Sequence, residues 1–266
     1  MAFFIFFKLL LISTVAELAY SCRPEKKLKF CHNLPHCSCQ QIYKNSVAPV
    51  SGEYQLCTPT SINFDVFCDF YDGYGYTYVS RESLGVLQTL SGLYTNKTNV
   101  VVRHRHTNGT QRGVEIAPLS EFTNTYPLSV QLSHADGFKT PLNAAMQPYI
   151  YIGFLPESYA KSTTKQGYQV AGVDYTFINC DSNPNSYLAL FTNPSNGPLN
   201  DYYTQCCMTD LVSAWITKAT VIPLPHYLPK KYFNDFEMHM GGCGGYVSTG
   251  SFPTVTGAAV GFKFVA

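Results

Sequence analysis

Charge is scarce in this sequence. Lysine, arginine, aspartate and glutamate supply 13% of its 266 residues, where soluble domains usually carry about 25%, and they cancel to a net charge of +1. That balance excludes a general electrostatic attraction to nucleic acid or to an acidic membrane surface. The signatures of the commoner chemistries are missing as well. There is no G-x-S-x-G nucleophile elbow ("GGYVSTGS" is not one), no H-E-x-x-H pair and no glycine loop that would cradle phosphate ahead of a helix. The sequence therefore offers no motif basis for a hydrolase or a nucleotide enzyme. Helix signals are few, tryptophan occurs once, and neither an internal repeat nor a low-complexity tract is present. After Ile12 no stretch approaches the roughly 20 apolar residues that a membrane-spanning helix needs.

What is present points to the secretory route. The chain opens MAFFIFFKLLLISTVAELAYSC, an apolar run from Ala2 to Ile12 broken only by Lys8 and followed by small and polar residues. So short a run with small residues before Cys22 reads as a secretory signal peptide over 1–21, with Ala16 as the other place for the cut. All ten cysteines (Cys22, Cys31, Cys37, Cys39, Cys57, Cys68, Cys180, Cys206, Cys207 and Cys243) lie beyond it. An even number on an oxidising route implies disulfides, whose pairing spacing alone leaves open. Asn96-Lys97-Thr98 and Asn108-Gly109-Thr110 are glycosylation sequons, whereas Asn193-Pro194-Ser195 is spoiled by its proline. Because the two usable sequons flank one segment, that segment is expected to face solvent. A secreted protein without a membrane span is the expectation.

Tyrosine (20) and phenylalanine (18) are abundant, and Gly/Pro/Asn punctuation recurs. Short β-branched and aromatic runs, NVVVRHRHT, PYIYIGFL, VDYTFINC, SYLALFTN and AAVGFKFVA, alternate with loop material such as SNPNS, TNPSNGP, PLPHYLP and GGCGG. In the last run Val260, Phe262 and Phe264 share a face by period two, as in a half-buried strand. TDLVSAWITKA sets Leu211, Trp215 and Lys218 at helical spacing with Thr209 or Asp210 as a cap, although its β-branched residues also suit a strand. Residues 82–90 form a weaker helix candidate. The expected fold is mainly β, with α+β as the alternative: a disulfide-stapled, antiparallel β-rich single domain over 39–266 with one or two short helices, behind a Cys-rich lead-in over 22–38.

Four stretches invite chemistry. CHNLPHCSC places His32 and His36 among cysteines, but on a secreted chain disulfides compete with zinc, and the spacing matches no common paired-knuckle pattern. VVRHRHT sets Arg103 and Arg105 on one strand face and His104 and His106 on the other. Two imidazoles could share a metal or sense pH and two guanidiniums could meet a sulfated glycan, yet the plainer reading is an exposed strand between two glycans. Asp181, Asn183 and Asn185 begin as a calcium loop does, but Ser186 and Thr192 stand where an EF-hand needs glycine and glutamate. In NFDVFCDFYDGYGYTYVSR, Phe64, Val66 and Cys68 alternate toward one face, Asp72-Gly73 is a hairpin signal and Gly75 permits close backbone approach. Neither Asp69 nor Asp72 has a catalytic partner in the sequence. No catalytic, cofactor-binding or metal-ligating residue is assigned, and no cofactor is expected.

CQQIYKNSVAPVSGEYQL followed by FDVFCDFYDGYGYTYVSR resembles the opening subdomain of fibrinogen-related domains, at Cys39, Ile42, Ser51, Gly52, Tyr54, Phe64, Val66, Cys68, Asp69, Gly73, Gly75, Thr77 and Arg81. The resemblance covers about residues 39–82. It implies the local fold, a Cys39–Cys68 bridge, and a strand through Phe64 and Val66 beside one through Tyr54. Tyr74-Gly75-Tyr76 replaces the family's G-G-W, and the single Trp215 cannot supply its Trp-rich signature farther on, so no binding residue carries over.

The leading functional expectation is a secreted, non-enzymatic adhesion or matrix protein of an organic, including mineralised, matrix, with extracellular proteins or glycans as partners. A soluble lectin-like recognition protein is the alternative, which the fibrinogen-like opening favours, and a divergent extracellular hydrolase is third. Only 17 acidic residues give little carboxylate density for mineral calcium.

Overall fold

The computed structural model describes residues 38–58, 62–87, 99–126, 128–133, 149–162, 165–178, 186–192, 211–241, 245–248 and 254–264. It is mostly antiparallel β-structure with few short helices. The strands in chain order are β1 (Gly52–Cys57), β2 (Asn63–Tyr71), β3 (Tyr74–Val79), β4 (Asn99–His106), β5 (Gln111–Ala117), β6 (Ser129–Ser133) and β7 (Tyr149–Gly153). They continue with β8 (Lys165–Val170), β9 (Val173–Ile178), β10 (Tyr187–Phe191), β11 (Thr220–Val221), β12 (Glu237–His239), β13 (Tyr246–Ser248) and β14 (Val255–Lys263). One sheet has the order β1-β2-β3-β14-β4-β5-β8-β9, with β11 alongside β5, and the other runs β13-β12-β10-β7-β6. The last strand thus enters the middle of the first sheet, between β3 and β4.

Alternation explains how the sheets meet. Val66, Val100, Val102, Val114 and Phe262 of the large sheet, with Phe264 just after β14, share one apolar cluster with Ile150, Ile152, Leu188, Leu190, Met238 and Val247 of the small one. Val260 joins them, so the period-two face expected for the final run is the face that enters this core. The opposite face of the large sheet is covered too: Phe67, Tyr76, Tyr78, Val101 and Ala259 pack against Leu228, Tyr232 and Phe233. Fully burying an aromatic side chain such as Phe262 contributes about 1.5–3 kcal/mol.

The opening segment is a compact unit. Helix α1 (Cys39–Asn45) starts with a capping box in which the Ser38 hydroxyl accepts from the Gln41 amide and the Gln41 side chain accepts from the Ser38 amide. This helix was not foreseen, although S-x-x-Q is its sequence signal. Cys39 and Cys68 form a disulfide with Cα atoms 5.3 Å apart, and Cys57 is disulfide-bonded as well. Tyr54 lies opposite Val66 and Leu56 opposite Phe64, so β1 and β2 pair as the resemblance implied. Asp72 and Gly73 both have positive φ, 52° and 77°, as a two-residue turn between antiparallel strands requires. A Cβ on Gly75 would lie 2.4 Å from the Cys39 carbonyl oxygen, so the close approach of α1 to β3 depends on that glycine.

Two further helices are α2 (Glu157–Ser162) and α3 (Leu211–Thr217). The second is the helix that TDLVSAWITKA suggested, and its Trp215 is fully buried while Lys218 is exposed. The weaker candidate at 82–90 is a short 3-10 helix over Arg81–Val86.

One expectation is overturned. The strand between the sequons, β4, does not face solvent: it lies between β14 and β5 with Val100 to His104 all buried. Five successive positions bury because both faces of the large sheet are covered. Alternating charged residues cannot announce that, since the pattern of an exposed strand is identical.

Candidate functional site

The outer face of the large sheet holds a buried polar network. Asp69 lies on β2 and Arg103 on β4, with β3 and β14 between them. At about 4.8 Å per strand the two backbones stand roughly 14 Å apart, so the side chains must reach across the intervening strands. Small residues clear the lane: Arg103 pairs in register with Ala259, and Gly261 pairs with Tyr78. A Cβ on Gly261 would lie 2.2 Å from the Tyr78 ring, so only glycine lets that ring lie over β14. Arg103 Nη2 then meets Asp69 Oδ2, with both side chains 0% exposed. Arg103 Nε donates to the Tyr78 hydroxyl at 2.7 Å and Nη1 donates to the His226 carbonyl at 2.5 Å.

The second oxygen of Asp69 receives the loop after β11. His226 Nδ1 lies 2.6 Å from Asp69 Oδ1 and 2.9 Å from Ser51 Oγ, which is itself 3.3 Å from Asp69 Oδ1. The Phe70 amide donates to Ser51 Oγ at 2.9 Å. Serine, histidine and aspartate are thus in contact, but hydroxyl and carboxylate share one ring nitrogen. A charge-relay nucleophile needs them on opposite nitrogens, so that Nε2 takes the serine proton while the carboxylate holds Nδ1–H. This arrangement instead fixes the imidazole and, through it, the loop to the sheet.

Protonation states follow from burial. Desolvation pushes the Tyr78 hydroxyl well above its ordinary range, opposed by Arg103, and burial does the same for Tyr71 and Tyr76. Burial alone would lower Arg103, but Tyr78 and Asp69 outweigh it and raise the guanidinium above its usual value. The network therefore holds a charged Arg103 beneath neutral tyrosines. Tyr71 stacks on Tyr76 at 4.5 Å and meets the His226 ring edge-on at 6.2 Å.

Two other polar groupings are buried. His104 lies on the inner face of β4 with its ring 3.9 Å from that of Trp215 and 6.2 Å from that of His106. On the small sheet, His239 Nε2 lies 2.5 Å from Glu237 Oε1, and burial raises the Glu237 carboxyl while His239 opposes the rise.

These positions revise the sequence reading. Asp69, which had no partner in the sequence, has Arg103, His226 and Ser51. Arg103 is not a glycan-facing guanidinium but the centre of the network, and Arg105 donates to Thr256 Oγ1 at 3.2 Å. His104 is fully buried rather than part of an exposed face, and His106 is half-buried. Asn108 is exposed in the β4–β5 turn, where its side chain accepts from the Thr110 amide at 2.9 Å. Asn96, His32, His36, Cys22, Cys31, Cys37, Cys180, Cys206, Cys207, Cys243, Asp181, Asn183 and Asn185 lie outside the described residues. Among the described residues no group of three or more His, Cys, Asp or Glu could hold a metal, and no helix is long and apolar enough to cross a membrane. His226 escaped notice because it stands 157 positions from Asp69 and 175 from Ser51, inside a proline-rich loop with no periodic signal.

No protein-family model, no curated protein and no solved structure matches the chain.

Proposed function

We propose that the chain is a secreted, non-enzymatic extracellular protein that acts in adhesion or as a matrix component. The observation that carries this reading is the Cys39–Cys68 disulfide, with both cysteines fully buried beneath the first strands. A bridge in the core of a β-meander belongs to a fold assembled in an oxidising compartment. The signal-like N-terminus and the exposed sequon at Asn108 agree with that address. The Asp69 network supports the non-enzymatic part, because its strongest acid–base groups are spent on one another. The opening over 39–82 is, in this reading, a divergent fibrinogen-related subdomain, supported by its disulfide and strand pairing. The test is sequential extraction of extracellular material with salt, then with chaotrope and reductant. A matrix protein stays behind until the second step. Free recovery in fluid, with a hydrolytic activity that a still-folded Asp69→Asn protein loses, would overturn the reading.

A lectin-like second reading is favoured by one feature: Tyr71 and Tyr74 are only partly buried, and the Lys263 ammonium lies 3.7 Å from the Tyr74 ring centre. Aromatic faces flanked by charge suit saccharide rings. Reproducible selectivity on a glycan array, lost on Tyr74→Ala, would move the assignment there.

A further inference from the structure

Four nitrogens meet on the inner face of β4 without a hydrogen-bond partner. Neither ring nitrogen of buried His104 has one, nor do His106 Nε2 and the Trp215 indole nitrogen. Leaving buried polar atoms unpartnered is costly, so the imidazole lone pairs among them mark a place where a bound group can complete the bonding, whereas the Trp215 N–H is a donor and takes no part in it. His104 and His106 stand two positions apart on a regular strand, so both side chains leave its same face.

We propose that His104 and His106 form a two-imidazole site for a late first-row divalent transition metal, with Cu2+ held more tightly than Zn2+. The ring geometry fits. With metal–nitrogen bonds of about 2.0–2.1 Å, two imidazoles on one ion have ring centres at most roughly 6.5 Å apart. Here they are 6.2 Å apart and tilted by 43°, inside that limit, with the ion close to the line between the ring centres. Ligating imidazoles must be neutral, so binding is expected to weaken in acid.

The same neighbourhood sets the strength and the choice of ion. Arg112 pairs in register with His104 and repels a cation, but it is exposed, so solvent and salt screen it. No carboxylate or thiolate among the described residues completes a cluster of three, so solvent or an added ligand takes the remaining positions. Calcium and magnesium need several oxygen donors, and no carboxylate cluster stands among the described residues. Imidazole suits copper, nickel and zinc, and the order of intrinsic affinities puts Cu2+ first.

Trp215 is the only tryptophan in the chain and touches His104, so its fluorescence reports on this site. The experiment titrates the full secreted protein near neutral pH with Cu2+, Zn2+ or Ca2+. Cu2+ is expected to quench Trp215 with one-to-one saturation, Zn2+ to relieve the quench by competition, and Ca2+ to do nothing. Electron paramagnetic resonance of the one-to-one copper sample should show two imidazole nitrogens. His106→Gln, at the half-buried position, should weaken binding by roughly tenfold or more, and so should His104→Gln. Absence of quenching, a resonance with a single nitrogen, or unchanged binding in a folded His106→Gln protein would each overturn the proposal. Should His104→Gln fail to fold, the wild-type resonance spectrum and the His106→Gln titration still decide it.

Discussion

Asp69 and Arg103 are 34 positions apart in sequence and lie on strands separated by two others in the sheet, and their side chains meet with no exposure to solvent. The pair ties β2 to β4 across the face of β3 and β14, and it recruits the loop carrying His226. Breaking one partner of a buried ion pair leaves the other charge uncompensated, at about 3–5 kcal/mol, whereas replacing both by apolar groups costs much less. Asp69→Asn and Arg103→Met should each lower the urea midpoint strongly, and Asp69→Leu with Arg103→Met should recover a large part of the loss. Single substitutions within about 0.5 kcal/mol of wild type would mean that the pair is not formed in solution.

Gly261→Ala should destabilise the fold through Tyr78. The added methyl has no room beneath the ring, and overpacking of this kind costs about 1–3 kcal/mol. In a Tyr78→Leu background the same change should cost markedly less, because the obstructing ring is gone. A double-mutant cycle by chemical denaturation measures the coupling, and strict additivity would count against the packing described.

Replacing Cys39 and Cys68 together by serine opens a loop with a sequence separation of 29. In the chain-entropy model this loses about 3.5 kcal/mol, a value native strain can reduce. Secretion yield and thermal midpoint should both fall, and by more than on Asn108→Gln, which removes a sequon from an exposed turn.

Acid should destabilise the protein through His104. Its imidazole is held at about 3 in the folded state against 6.5 ordinarily, by burial first and then by His106 and Arg112. Below 6.5 the unfolded chain takes a proton that the native state refuses, so stability is full above that value and falls as pH drops toward 3. The loss between pH 7 and pH 5 is about 2 kcal/mol from this group, with lowered His106 adding in the same direction. In metal-free buffer His104→Gln should flatten this part of the pH–stability curve, and an unchanged slope would place the imidazole in contact with water.

Local pattern carried the fold a long way and the polar network hardly at all. The Asp72-Gly73 turn, the face through Phe64, Val66 and Cys68, the face through Val260, Phe262 and Phe264, and the helix around Trp215 each follow from spacing within a dozen residues, although β2 runs on past Cys68 to Tyr71. The α1 capping box at Ser38 and Gln41 was equally local and was missed. By contrast, β14 closing between β3 and β4 is a long-range event that no local period encodes. It turns β4 from an edge-like charged strand into a buried one, and so determines that Arg103 and His104 lie inside. Ser51, Asp69, Arg103 and His226 come from four separate segments, and only the sheet order brings them together.

The proposal that the protein is secreted and built around disulfides is tested most directly by mass spectrometry of the protein recovered from the medium of a eukaryotic expression host, digested without reduction. The account predicts a mature N-terminus between residues 17 and 22, a peptide pair linked through Cys39 and Cys68, and glycan on Asn108. Retention in the cytosol with Met1 intact and free thiols at Cys39 and Cys68 would contradict it.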